Sequence, residues 1–132
     1  MLVTERAVRC EIELDASPEE VWEALADDRL LSEWLADEVE LEPVEGSPAR
    51  FRTGGEEREG TVLRVEEGRR LAFTWSREGE LPSEVELTVD AVAGRSRVVV
   101  VERAIVGPAA LSGSAWSARL GGLARALALV AA

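Results

Sequence analysis

Few of the residues that usually carry chemistry occur in this chain of 132 residues. There is no histidine, no tyrosine and one cysteine, Cys10. The commonest general base, zinc ligand and pH sensor is therefore missing. A single cysteine forms neither an internal disulfide nor a thiolate ligand set. Cys10 also falls on the apolar side of its segment, where an inert buried thiol is expected. No Ser/His/Asp arrangement and no phosphate-cradling glycine loop is present. The acidic runs Glu56-Glu57, Glu66-Glu67 and Glu38 to Glu45 read as solvated faces and turns, without metal-site spacing. The reading is thus no catalytic set, no metal ligands and no cofactor.

Glu102 stands apart from the other carboxylates. In the run Val98 to Glu102 a period of two puts it inward with Val98 and Val100. An unpaired carboxylate is costly to bury. It then needs a polar cavity end or a cation such as Arg50 or Arg52; otherwise the strand stops short and leaves Glu102 wet. The same alternation aligns Leu71, Phe73 and Trp75 on one face and Val85, Leu87 and Val89 on another. If these faces look toward the last helix, Phe51, Phe73, Trp75 and Trp116 converge. Such rings either line a pocket for a flat apolar ligand or fill a core. Trp22 reads as packing, and Trp34 as an aromatic at the mouth. The ligand-lining candidates are Trp34, Phe51, Phe73, Trp75, Val100, Glu102 and Trp116.

These side chains must be positioned by elements that the pattern outlines. Residues 4–14 alternate, with Val8, Cys10, Ile12 and Leu14 on one side, and read as a strand. Ser17-Pro18-Glu19-Glu20 is a helix start, with Ser17 as N-cap, Pro18 at the first helical position and Glu20 completing a capping box. A second short helix runs from Asp27 or Asp28 to about Leu35. From Glu38 the period is two. Ala49 to Thr53 leads to a Gly54-Gly55 turn. Thr61 to Glu66 and Leu71 to Arg77 flank Glu67-Gly68, and Ser83 to Val92 and Ser96 to Glu102 flank Ala93-Gly94. Pro108 opens a last helix in which Leu111, Trp116, Leu120, Leu123 and Leu127 recur at helical spacing. The fold class is α+β: a curved antiparallel sheet wrapped around a long C-terminal helix, with two short helices after the first strand.

Composition limits the partners. With 26 acidic and 15 basic residues the net charge is −11, which opposes phosphate backbones and anionic membrane surfaces. Neither nucleic acid nor membrane is expected. The charged residues from Met1 to Arg9 do not fit a signal peptide, so the chain is read as cytoplasmic. One domain over 1–132 is expected, as a monomer or weak homodimer.

Several blocks resemble a known family. Ala16 to Leu25 matches an A-x-P-E-x-V-W-x-A-L pattern, and Leu30-Leu31-Ser32-Glu33-Trp34 an L-x-x-W pattern. Gly60-Thr61-Val62 with Arg70 to Trp75 matches G-x-V…R-L-x-F-T-W, and Ala115 to Leu123 matches the final-helix pattern. In this order they resemble the START-like (SRPBCC) superfamily, and within it proteins similar to the activator of the ninety-kilodalton heat-shock protein ATPase. The resemblance implies a helix-grip fold and a small apolar ligand held between sheet and last helix, without catalysis. Two alternatives share the scaffold: a polyketide cyclase or aromatase, and a co-chaperone-like stress regulator.

Overall fold

The computed structural model describes residues 6–104 and 113–131. Pro108 and Leu111, expected at the start of the last helix, lie outside that range, as do the first two residues of the expected opening strand. The elements are β1 (Arg6–Leu14), α1 (Pro18–Ala26), α2 (Asp28–Trp34), β2 (Glu38–Leu41), β3 (Pro48–Thr53), β4 (Glu56–Glu66), β5 (Arg70–Arg77), β6 (Ser83–Val92), β7 (Arg95–Ala104) and α3 (Gly113–Ala131). The strands form one seven-stranded sheet ordered β1-β7-β6-β5-β4-β3-β2. Every pairing is antiparallel. This is the curved sheet, long final helix and pair of short helices expected of the helix-grip class.

Local chemistry explains the two short helices. The Ser17 hydroxyl accepts the Glu20 N–H at 3.2 Å and donates to Glu20 Oε1 at 3.1 Å, which closes the first turn of α1. Asp27 ends α1 and caps α2, its carboxylate accepting from the Arg29 and Leu30 amides at 2.9 and 3.3 Å. The Ser32 hydroxyl then takes the Val39 N–H at 2.9 Å and ties α2 to β2.

The strands follow the alternation, with one extension. β4 starts at Glu56, five residues before the expected Thr61. Charged residues on both of its faces hid the period of two there: Glu57 pairs outward with Arg50 at 3.0 Å, whereas Arg58 turns toward the core side. Glu56-Glu57 is therefore strand rather than turn. The ladder between β4 and β5 shifts register between Val62 and Arg64, as a bulge does where a sheet bends. Beside it Gly60 lies so close to β5 that an added Cβ would sit 1.6 Å from the Thr74 carbonyl oxygen. Only glycine permits that approach.

The core lies between the inner sheet face and the helices. Phe73, Leu71, Val85, Leu87, Val98 and Val100 are fully buried, as are Val21, Leu25 and Leu31 from the short helices. From α3, Trp116, Leu120, Leu123 and Leu127 point the same way, a stripe at i, i+4, i+7 and i+11. The backbone of α3 comes nearest to β1, α1 and α2. Over the middle of the sheet large aromatic side chains occupy the space beneath it.

Candidate functional site

Strand register decides which residues can meet. Glu102 on β7 stands opposite Val8 on β1 and Val85 on β6, and Val85 opposes Phe73 on β5. One row further along the same face come Ser83 and Trp75, which are paired. β7 continues to Ala104, so the strand does not stop before Glu102. Glu102 is 8% exposed.

Its compensation is a set of neutral donors. Trp75 Nε1–H donates to Glu102 Oε2 at 2.8 Å and the Ser83 hydroxyl to the same oxygen at 2.6 Å. Trp116 Nε1–H, from α3, donates to Oε1 at 2.7 Å. An indole has one donor and no acceptor. A carboxylate is thus the side chain that can satisfy both tryptophans at once. The expected partners Arg50 and Arg52 are elsewhere, bound on the outer face to Glu57 and Glu38 at 3.0 Å each. The reason is alternation: with Ala49 and Phe51 inward, their neighbours must point out.

The rings pack around this network. Phe51 and Phe73 stack with centroids 5.0 Å apart, and Trp75 meets them edge-on at 5.3 and 5.7 Å. Trp75 and Trp116 stack at 5.6 Å. These separations suit favourable aromatic pairs. Phe51, Phe73, Trp75, Trp116 and Glu102 therefore come together. Val100 is buried one row away, between Cys10 and Leu87. Trp34 is not at a mouth: it is 6% exposed, donates Nε1–H to the Ala24 carbonyl at 3.0 Å, and packs under Gly122 of α3.

Two arginines complete the site, and the sequence reading passed over both. The Arg58 guanidinium lies 4.3 Å from the Trp75 centroid. That of Arg119 lies 5.3 Å from Trp75 and 5.0 Å from Trp116. Both distances are within the range of cation–π attraction. Arg119 Nε–H also donates to the Leu35 carbonyl at 3.2 Å. Its pKa is lowered, first because burial strips water from the guanidinium and next because Arg58 repels it, with Glu102 pulling the other way. Arg58 shares the parity of Gly60 and Val62, and Arg119 follows Trp116 by three residues. Those spacings were the available signal.

Chemically, this is a buried acceptor that orients two indoles, roofed by two cations. Both carboxylate oxygens are already committed to donors. Among the described residues, no three or more His, Cys, Asp or Glu side chains are grouped to hold a metal ion. Among the same residues, no helix is long and apolar enough to cross a membrane.

The model for "Activator of Hsp90 ATPase homolog 1-like protein" matches residues 15–128. The chain belongs to that family. Its START-like architecture recurs in solved structures. DynU16, a protein in the dynemicin biosynthetic locus, is 28% identical with a TM-score of 0.83. The match covers 92% of this chain and 47% of DynU16, so this chain spans about half of that relative. MLL2253 from Mesorhizobium loti is 21% identical, with a TM-score of 0.82 over 94% of this chain and 98% of its own. The Aha1 dimer from Colwellia psychrerythraea is 22% identical, with a TM-score of 0.77 over 92% and 96%. The latter two show the fold alone. No curated protein matches the sequence.

Proposed function

We propose that this family member binds a small apolar ligand between the inner face of the sheet and α3, without turning it over. The observation that carries the reading is the Trp75–Glu102–Trp116 network. Folding alone does not call for a carboxylate among Val8, Val85 and Phe73, where an apolar side chain would avoid the desolvation cost. The carboxylate fixes the rotamers of two buried indoles, and so presets the aromatic wall that a ligand opening the cluster under α3 would meet. Rigid aromatic walls with a few placed polar groups are the usual make-up of a small-molecule site. The similar architecture of a protein in a biosynthetic locus supports the same reading. Full engagement of both Glu102 oxygens favours holding over proton transfer, which would need a group free to reach a substrate.

Trp75 and Trp116 report directly on occupancy. Titration with a panel of fatty acids, flavonoids, aromatic polyketides and steroids is expected to give saturable quenching or a blue shift at micromolar ligand for one class. A flat response in every class, with the same compounds silent by calorimetry, would show the rings to be core only and overturn the reading.

A further inference from the structure

The charges around the aromatic cluster do not balance. Arg58 and Arg119 are both half-buried, and among the described residues neither has a carboxylate within ion-pair distance. On the same sheet, by contrast, Arg50, Arg52, Arg64, Arg70 and Arg77 each have at least one acidic partner. The segment 105–112, which joins β7 to α3, contains no acidic residue that could supply the missing charge. Glu102 offsets one guanidinium by its field but spends its hydrogen bonds on Trp75, Ser83 and Trp116. Among the described residues, one positive charge is left over at the edge of an apolar, aromatic cluster.

The two guanidiniums also share a target. Their carbons are 4.3 and 5.3 Å from one Trp75 centroid and therefore no more than 9.6 Å apart. A single oxyanion with a hydrogen bond on either side spans such a gap. Their mutual repulsion, felt in the lowered pKa of Arg119, is relieved when an anion enters between them. Guanidinium forks match carboxylate and sulfonate oxygens well, and a partly desolvated setting strengthens the contact.

We infer that the ligand is an aromatic monoanion, its carboxylate or sulfonate between Arg58 and Arg119 and its flat body against the Trp75–Trp116 pair, whose rings, 3% and 1% exposed, must part from their neighbours to receive it. The inference rests on the proposed ligand-binding role and narrows it to one chemical class. It also gives the acidic surface a use, since the net charge of −11 repels non-specific anions.

Two probes with one skeleton separate the inference from the reading beneath it: 8-anilinonaphthalene-1-sulfonate and its neutral parent, N-phenyl-1-naphthylamine. The full chain is expected to bind both, and Arg58→Gln to weaken the sulfonate about tenfold while moving the neutral probe less than about twofold. Arg58→Lys should recover part of the loss, and added salt should weaken only the sulfonate. The neutral probe also serves as the check that each variant is folded. Arg119→Gln should act in the same direction as Arg58→Gln. If the neutral probe binds and neither arginine variant affects the sulfonate, the anion site is wrong and the apolar site stands. If neither probe binds the wild-type chain, both are wrong.

Discussion

Replacing Glu102 by glutamine tests the central network with a change of almost no volume. The wild-type carboxylate accepts three hydrogen bonds, from Trp75, Ser83 and Trp116. An amide has one acceptor oxygen and one NH2 group. If its oxygen faces Trp75 and Ser83, the NH2 confronts the Trp116 N–H. If the oxygen faces Trp116, the NH2 can reach the Ser83 oxygen but confronts the Trp75 N–H. Either way one buried indole donor is orphaned, at about 2 kcal/mol, and the bonds that survive lose their charge assistance, at about 1 kcal/mol each. Burying a neutral amide instead of a carboxylate returns about 1–2 kcal/mol of desolvation. The net expectation is a loss of about 2–3 kcal/mol, or roughly 10 °C in melting temperature for a domain of this size. Urea unfolding followed by far-ultraviolet circular dichroism measures it, provided the slope with denaturant is unchanged. The sharper test is a pair of double-mutant cycles with Trp75→Phe and Trp116→Phe. Removing the orphaned donor should recover about 1–2 kcal/mol in one of the two cycles, because the lost ring volume is common to both backgrounds and cancels. A Glu102→Gln cost below about 0.5 kcal/mol, or additivity in both cycles, would refute the argument that the carboxylate holds the indoles.

Two backbone predictions probe the frame around the site. Gly60→Ala must push β4 from β5, since its Cβ would meet the Thr74 carbonyl at 1.6 Å; a loss of about 3 kcal/mol or failure to fold is expected in thermal melts. The control Gly55→Ala, where nothing lies within 4 Å, should stay within about 0.5 kcal/mol, and equal effects at the two sites would rule out the close-approach explanation. Ala93→Asn should stabilise the chain by about 0.5–1 kcal/mol, because Ala93 and Gly94 have φ of 50° and 79° in a two-residue hairpin turn that favours Asn-Gly. An unchanged melting temperature would mean that Ala93 carries no strain.

The frame was largely legible in the sequence because it is built from local signals. Ser17-Pro18 with Glu20, the turns at Gly54, Gly68 and Gly94, and the valine alternation of β6 and β7 each act within a few residues, and the structure follows them. The site was half legible for the same reason. Inward parity placed Phe51, Phe73, Trp75 and Glu102 together, and helical spacing brought Trp116 to them. What parity does not supply is the partner across elements. Arg50 and Arg52 were attractive as cations near Glu102, yet their parity opposes Phe51, and tertiary contacts only enforced that conflict. Trp34 is expected at the mouth because the second short helix, which carries it, lies with the first at one end of the sheet. Its burial depends on Gly122, 88 positions downstream (122 − 34) and linked to it by no local rule, where the missing side chain lets α3 close over it.

The same network links the fold to the proposed recognition of an anion. Trp75 can present its ring to both Arg58 and Arg119 only while its indole is held at a fixed angle, and the 2.8 Å bond to Glu102 sets that angle. Trp116 is held by the other oxygen of the same carboxylate, so the stacking of the two indoles at 5.6 Å is a consequence of Glu102 as much as of packing. Glu102 also lowers the electrostatic cost of placing two cations beside one ring, which an apolar residue in its place could not do. A carboxylate deep in the sheet and two guanidiniums with no acidic ion-pair partner among the described residues are therefore one arrangement rather than two. Loss of Glu102 should weaken binding of the sulfonate probe through misplaced rings and arginines, even though the carboxylate itself repels the anion. Coulomb repulsion alone would make Glu102→Gln bind the sulfonate more tightly, so the sign of that change decides between positioning and simple charge.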